Sequence, residues 1–257
     1  MTAVPCAYPP KGSRLVVIGG CGGMGQAVVQ AALALELRVA VLDLERSLQQ
    51  SPPPVQALAI ACDLNEEAAV MSAFAQVDKA WGALDILVNL AGYTGEPVPV
   101  RDLATADWDA VTNACLRGMF LAARAALPLL ERGNAPSMVL TASTFGHRVV
   151  HAGYAAYAAS KAGVVSLGKA LATECAPRMR VNVVSPGVFQ TPFLTGGTGR
   201  DARQTQGIDM SMFSKHVPLQ RLGDPSEMVG PILFLASPAA SYITGQVLHV
   251  NGGTWAP

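Results

Sequence analysis

Arg14-Leu15-Val16-Val17-Ile18-Gly19-Gly20-Cys21-Gly22-Gly23-Met24-Gly25 runs from a short β-branched stretch into five glycines within seven residues, and a helix-period segment, Met24 to Glu36, follows at once. Glycines at such a place allow a tight strand-to-helix turn and let the backbone approach a pyrophosphate. They leave that phosphate facing the N–H groups of the helix start. The letters fit GxGxxG from Gly20 and GxxxGxG from Gly19, so spacing leaves open which glycine does which work. A tight connecting turn that binds nothing is the other reading of the same letters.

The alternation begun there continues along the chain. Further strands are expected at Arg38 to Leu42, Val55 to Ile60, Leu84 to Val88, Met138 to Thr141, Arg180 to Val184 and Val247 to Val250. Helical stretches near Glu66 to Trp81, Ala106 to Leu130, Tyr154 to Cys175 and Pro225 to Ala236 separate them. Short apolar runs alternating with longer helix-period segments imply an α/β chain with a doubly wound parallel sheet, helices on both faces. No repeat or long linker interrupts it, so one domain is drawn over residues 1–257. Thr191 to His216 breaks the rhythm with Gly196, Gly197 and Gly199 and then Met210, Met212 and Phe213, which reads as a lid at about 191–216.

Composition narrows the function. Hydrophobic residues make up 51% and charged residues 14% of 257, which excludes a disordered chain and leaves an excess of apolar surface that copies of the chain could cover. Eighteen basic and eighteen acidic residues cancel, so the footprint of a nucleic-acid binder is missing. The five cysteines are scattered with no CxxC pair, which suggests neither a disulfide framework nor zinc and fits a reducing cytoplasm. The most apolar stretch, Ala27 to Leu44, is broken by Gln30, Glu36 and Arg38, and MTAVPCAYPPKGS shows no basic leader before an apolar run. Neither export nor a membrane span is expected.

Asp43 closes the second strand, 18 residues beyond Gly25, where a carboxylate can accept hydrogen bonds from both hydroxyls of an adenosine ribose. It would repel a 2′-phosphate, so NAD is expected over NADP, with Arg46 nearby as the one group able to offset that repulsion. Tyr157 and Lys161, in Tyr157-Ala158-Ala159-Ser160-Lys161, stand four apart and share a helix face. A free phenol has a pKa of about 10, so acting as a base near neutrality takes roughly 4 kcal/mol of differential stabilisation, which an ammonium and an oxidised nicotinamide could supply. Tyr154 has Ala158 at the same spacing and no cation.

These residues, taken together, resemble the classical short-chain dehydrogenase/reductase family, and the likeness runs through nearly the whole chain. YAASK is similar to the family's YxxxK motif, and Gly19, Gly23 and Gly25 fall at the glycines of its TGxxxGxG motif, with Ile18 in place of the threonine. Asn89-Leu90-Ala91-Gly92 stands for NNAG, Asp63-Leu64 resembles the pair that meets adenine, and Asn113 falls at the structural and proton-relay asparagine. Pro186-Gly187-Val188 and Thr191 resemble the stretch that closes over the nicotinamide amide, and the tail from Pro218 to Gly253 reads like the family's last helix and strand. The resemblance implies a single-domain Rossmann-type fold of seven parallel strands. It also implies a dinucleotide held by Gly19, Cys21, Gly22, Gly23, Met24, Gly25, Asp43, Asp63, Leu64, Asn89, Ala91, Gly92, Tyr157, Lys161, Pro186, Gly187, Val188 and Thr191.

For catalysis the resemblance implies Asn113, a hydroxyl after the fifth strand, Tyr157 and Lys161. The hydroxyl is either Thr144, 13 residues before the tyrosine, or Ser143, three before Gly146; Ser143 is preferred, with one extra residue in the His147–Gly153 loop. Ser143 would hold the substrate oxygen, Tyr157 take its proton, Lys161 grip the nicotinamide ribose, and Asn113 anchor a water leading to solvent. The expected activity is NAD-dependent interconversion of a secondary alcohol and a ketone in a cytoplasmic homotetramer. Phe145, Val149, Tyr93, Phe189, Phe193 and Met212 suggest an apolar pocket wall and a ring-bearing or medium-length substrate. An NADP-dependent 3-oxoacyl reductase and a silent NAD-binding sensor are the rival readings; enoyl reductases of the superfamily space tyrosine and lysine more widely, and sugar epimerases carry a longer C-terminal part. His147 and His151 stand four apart with no third ligand in sight, so no metal is expected.

Overall fold

The computed structural model describes residues 5–200 and 214–257. Its seven strands are β1 (Arg14–Ile18), β2 (Arg38–Asp43), β3 (Leu58–Ala61), β4 (Ile86–Asn89), β5 (Ser137–Thr141), β6 (Arg180–Pro186) and β7 (Val247–Val250). They form one sheet in the order β3-β2-β1-β4-β5-β6-β7, every neighbouring pair parallel. The chain winds outward one way from β1 and then the other way from β4. The crevice beyond the carboxyl ends of these two strands is therefore the place where such a sheet binds ligands.

β1 shows why the strands are apolar throughout. Successive side chains point to opposite faces, so Val16 and Ile18 enter one core while Leu15 and Val17 enter the other. The first core is closed by α3 (Glu67–Trp81), α5 (Gly118–Glu131) and α6 (Ala155–Cys175), through residues such as Phe74, Met119 and Val164. The second is closed by α1 (Gly23–Ala34) and, near the C-terminus, the helix Val229–Leu235, through Val28, Ile232 and Leu235. Two further helices, α2 (Glu45–Gln50) and α4 (Thr105–Thr112), complete the carboxyl end; the Val229–Leu235 helix is α7.

Several expected boundaries move, each for a local reason. The strand expected from Val55 starts at Leu58, because Pro52 to Pro54 cannot donate to a ladder and Val55 projects into solvent. β4 begins at Ile86 because Asp85 is engaged by Arg14. The long helix expected over 106–130 is α4 and α5 joined by a π turn, Asn113–Arg117. The helix expected from Pro225 opens with a 3-10 turn capped by Asp224 and Glu227 before α7 begins. The six-residue α2 is too short to show periodicity. Of the 191–216 stretch, a 3-10 turn (Pro192–Thr195) is followed by a segment lying on α2, where Ser47 Oγ donates to the Thr198 carbonyl (2.9 Å) and Gly199 N–H donates to Gln50 Oε1 (2.8 Å). Met210, Met212 and Phe213 lie outside the described residues. Among the described residues no helix is long and apolar enough to cross a membrane.

At the opposite end of the sheet from the crevice, Arg14 and Asp85 lock β1 to β4. Arg14 donates from its backbone N (2.8 Å), Nε (2.9 Å) and Nη2 (2.7 Å) to the Asp85 carboxylate, which also accepts from Asn134 N (2.7 Å). Burial raises the Asp85 pKa, but the Arg14 and Asn134 bonds outweigh it and hold the carboxyl below its usual range. Its stabilisation is therefore complete above the ordinary carboxylate pKa and is lost as pH falls through the depressed one. Asp85→Ala should cost about 3 kcal/mol by stranding a guanidinium that is largely buried. Urea unfolding at pH 7 measures this, and the gap between wild type and variant should narrow as pH falls below the ordinary carboxylate range.

Candidate active site

The glycine turn between β1 and α1 is built by close contact. A Cβ on Gly25 would stand 2.2 Å from the Gly19 carbonyl oxygen and 2.6 Å from Gly20 Cα, so only glycine lets the helix start this near the strand end. Asp43, at the end of β2, accepts from Cys21 N (2.9 Å) and Leu44 N (2.8 Å), which fixes its carboxylate at the groove mouth. Cys21 is itself fully buried, its thiol pushed up to about 12 by burial and then by Asp43, which leaves it an inert packing residue. Met24 packs its side chain into the core on the α1 side.

Gly19, Gly22, Gly23, Asp43, Asp63 and Leu64 line one groove with Ala91 and Gly92. Asn89 steadies the far wall by accepting Ala91 N–H at Oδ1 (3.1 Å), while its Nδ2 is buried without a partner. Thr191 is carried onto the glycine turn, where its Cγ2 lies 2.8 Å from the Cβ position of Gly23. Pro186 and Gly187 end β6, the latter bonded to the Val250 carbonyl (2.9 Å), and Val188 accepts from Gly223 N (3.0 Å). A bare glycine cradle, an acid at the end of β2 and an unspent buried donor on Asn89 suit a dinucleotide with a diol-bearing adenosine.

The reacting groups stand at the carboxyl ends of β5 and β6. Tyr157 and Lys161 lie one turn apart near the start of α6, 8% and 2% exposed. Lys161 Nζ donates to the Thr141 carbonyl (2.8 Å) and lies 5.7 Å from the centre of the Tyr157 ring. The loop after β5 approaches α6 so closely that a Cβ on Gly146 would meet Lys161 carbonyl carbon at 2.8 Å. That contact brings Ser143 beside Tyr157, near enough for its hydroxyl to lower the phenol pKa, and Ser143 Oγ accepts from Phe145 N (3.2 Å). Thr144 points away and donates to the Pro186 carbonyl (3.1 Å). Of the two hydroxyls left open by spacing, the geometry places Ser143 in the cleft.

The protein's own groups hold Tyr157 as a neutral phenol. Burial pushes its pKa up, the proximity of Cys115 adds to this, and Ser143 only partly opposes them. Burial lowers the pKa of Lys161. Of the protein's own groups, the Ser143 hydroxyl is the one that draws the phenol pKa down.

Some expected residues fall elsewhere. Asn113 is half-buried on the π turn, and among the described residues its side chain makes no hydrogen bond. Cys115, about half a turn further round, is the side chain that packs with Tyr157. Helical spacing carried that signal, since Val111 and Cys115 are four apart and both buried while Asn113 sits on another face. Phe189 is buried in the core on the α1 side, so it is no pocket wall; Phe145 and Phe193 do flank Tyr157, at 6.3 and 6.2 Å between ring centres. Tyr93 lies under the Arg200 guanidinium (4.5 Å), and Val149 is exposed. His147 and His151 part company: His147 stacks on Trp255 (4.7 Å) beside His249, and His151 faces Phe145 (6.3 Å). Among the described residues no three potential metal ligands gather.

This strand order, with a glycine turn between β1 and α1, is the Rossmann-type arrangement, and the comparisons place the chain more narrowly. Residues 19–254 match the family model described as enoyl-(acyl carrier protein) reductase. A short-chain type dehydrogenase/reductase of Sinorhizobium fredii is 33% identical, covering 95% of this chain and 97% of its own. A 3-oxoacyl-(acyl-carrier-protein) reductase of Mycobacterium bovis is 34% identical over 98% and 97%. Among solved structures, the aldohexose dehydrogenase of Thermoplasma acidophilum superposes with a TM-score of 0.85 at 28% identity, covering 96% of both chains. The chain belongs to the short-chain dehydrogenase/reductase family.

Separate alanine substitutions should read the two hydroxyls. Ser143→Ala should lower kcat about 100-fold with stability nearly unchanged. Thr144→Ala should lower stability by about 1–2 kcal/mol by stranding the Pro186 carbonyl, with a smaller loss of kcat. Steady-state kinetics beside thermal melts decides it; a larger kcat loss at Thr144 would reverse the assignment.

Proposed function

We propose that the protein is an NAD-dependent oxidoreductase interconverting a secondary alcohol and a ketone, working in the cytoplasm as a homotetramer. The observation carrying this reading is the Ser143 hydroxyl set beside the Tyr157 phenol, with Lys161 Nζ one helical turn away, 5.7 Å from the phenol ring centre. In the oxidation direction Ser143 holds the substrate oxygen and Tyr157, as phenolate, takes the hydroxyl proton while the carbinol carbon gives up a hydride. The nicotinamide, when bound, supplies the hydride acceptor or donor and, oxidised, a positive charge. Gly19, Gly22, Gly23 and Gly25 would cradle its pyrophosphate, Asp43 the adenosine ribose, Asp63 and Leu64 the adenine, Lys161 the nicotinamide ribose, and Pro186 to Val188 with Thr191 the amide. Phe145 and Phe193 offer an apolar wall to the substrate.

A second reading, reduction of a 3-oxoacyl group with NADP, is favoured by the name of the Mycobacterium relative. Asp43 weighs against it, since a carboxylate repels a 2′-phosphate. Assembly is supported by β7, the last strand of the sheet, whose four residues all stay half-buried in the isolated chain.

Reduced-nicotinamide absorbance, followed with a panel of cyclic and linear secondary alcohols and with a 3-oxoacyl thioester, tests both. NAD should support turnover of an alcohol with a kcat/KM at least tenfold above NADP. The reverse preference with thioester reduction selects the second reading, and binding without turnover across the panel selects a sensor. Tyr157→Phe should abolish turnover while NAD affinity stays within a few fold.

A base held neutral by burial gains its competent form as pH rises, so oxidation should speed up from pH 7 to 9 and reduction should slow. Stopped-flow rates in both directions measure this, and a flat oxidation profile removes Tyr157 as the base. Light scattering should give about four times the chain mass; a monomer refutes the assembly.

A further inference from the structure

Cys115 is a fully inaccessible thiol in the π turn, and the chemistry above makes no use of it. Its Sγ accepts from the Tyr93 N–H at 3.2 Å, and its S–H donates to the Tyr93 carbonyl at 3.0 Å. Both bonds go to the main chain of one residue, so they fix backbone register where a single side-chain contact could swing. Tyr93 directly follows Asn89–Gly92, the strip that forms the far wall of the groove. The same wall faces the reacting groups, since a Cβ on Gly92 would lie 3.4 Å from Lys161 Nζ. On its other side Cys115 packs in a buried cluster with Val111, Ala156 and Tyr157.

Few side chains meet these demands at once. An apolar group would take both of these bonds away from the Tyr93 main chain. A charged one would act on both Tyr157 and Lys161, which lie within electrostatic reach of the sulfur. A small neutral group that donates and accepts satisfies the loop and leaves the reacting pair alone.

We infer that Cys115 is a positioning residue, its thiol pinning the Asn89–Tyr93 loop to the π turn and so setting the cleft wall against which Tyr157 and Lys161 work. This rests on the function proposed above, and the pin itself is open to measurement without turnover. Amide hydrogen exchange of the segment 90–95 reads the pin; kcat and the NAD dissociation constant read its consequence. Cys115→Ala should raise exchange there at least tenfold and lower kcat at least tenfold, with NAD affinity within threefold. Cys115→Ser, which can make the same pair of bonds, should restore exchange and kcat to within threefold of wild type. Leu103→Ala removes packing from the same cluster without touching these bonds and should lower the melting temperature while leaving kcat and exchange near wild type.

Unchanged exchange or unchanged kcat in Cys115→Ala overturns the inference, as does a Leu103→Ala variant that reproduces both losses. Should Cys115→Ala not fold, Cys115→Val keeps the volume, lacks the donor and reads the same quantities. Tyr157→Phe run alongside separates the two claims. If it turns over normally the functional reading fails; if it is dead while Cys115→Ala is fully active, only the role of Cys115 fails.

Discussion

The burial of one ammonium organises the reacting end of this molecule. Lys161 is almost wholly withdrawn from water, and a charge so placed must be met by nearby dipoles. The Thr141 carbonyl, at the last residue of β5, meets it directly. That bond fixes how far α6 stands from the sheet, and Gly146 then lets the loop after β5 pass over the helix backbone at the same residue. Ser143 reaches Tyr157 only because these two approaches coincide. The cleft is thus the result of accommodating a cation, and Tyr157, one turn earlier on α6, inherits its desolvated setting from its neighbour.

The fold was legible in the sequence to the extent that side-chain periodicity decided it. β1 could be read because its alternating faces are both buried, which demands an unbroken apolar run, and because five glycines follow it directly. β3 was misplaced by three residues since its start is set by prolines that precede it, and α2 was missed because six residues hold too little pattern. Gly19 and Asp43 could be named from the glycine run and the acid at a strand end, and Asp63 and Gly92 from the family resemblance; the strand order brings all four into one groove at the carboxyl ends of β1, β2, β3 and β4.

What stayed hidden depends on contacts made across the chain. Asn113 was named from the family resemblance, as the anchor of a water; the residue that packs with Tyr157 is set by the helix, whose π turn presents Cys115. The choice between Ser143 and Thr144 was a matter of one residue of loop length, which counting cannot resolve; in the structure the Pro186 carbonyl engages Thr144 and leaves Ser143 beside Tyr157. His147 and His151 looked like a pair at helical spacing, but their loop is not helical at that point. Trp255, more than a hundred residues on, takes one of them away.

The polar residues that the sheet leaves unsatisfied point the same way. Asn89 Nδ2, Thr141 Oγ1, Ser185 Oγ and His249 Nδ1 are buried with no hydrogen-bond partner, and they stand at or next to the last residues of β4, β5, β6 and β7, four adjacent strands. At the other ends of β1 and β4 the polar groups are fully engaged, as Arg14, Asp85 and Asn134 show. A buried donor or acceptor left alone costs about 1–3 kcal/mol, so natural folds keep few of them. Had stability alone shaped the sheet, such groups would be scattered or replaced by the valines and leucines that fill the rest of these strands. Their concentration on the edge that faces the cleft means the chain gives up folding free energy where it must present polar groups to something other than itself, as sites built for ligands do.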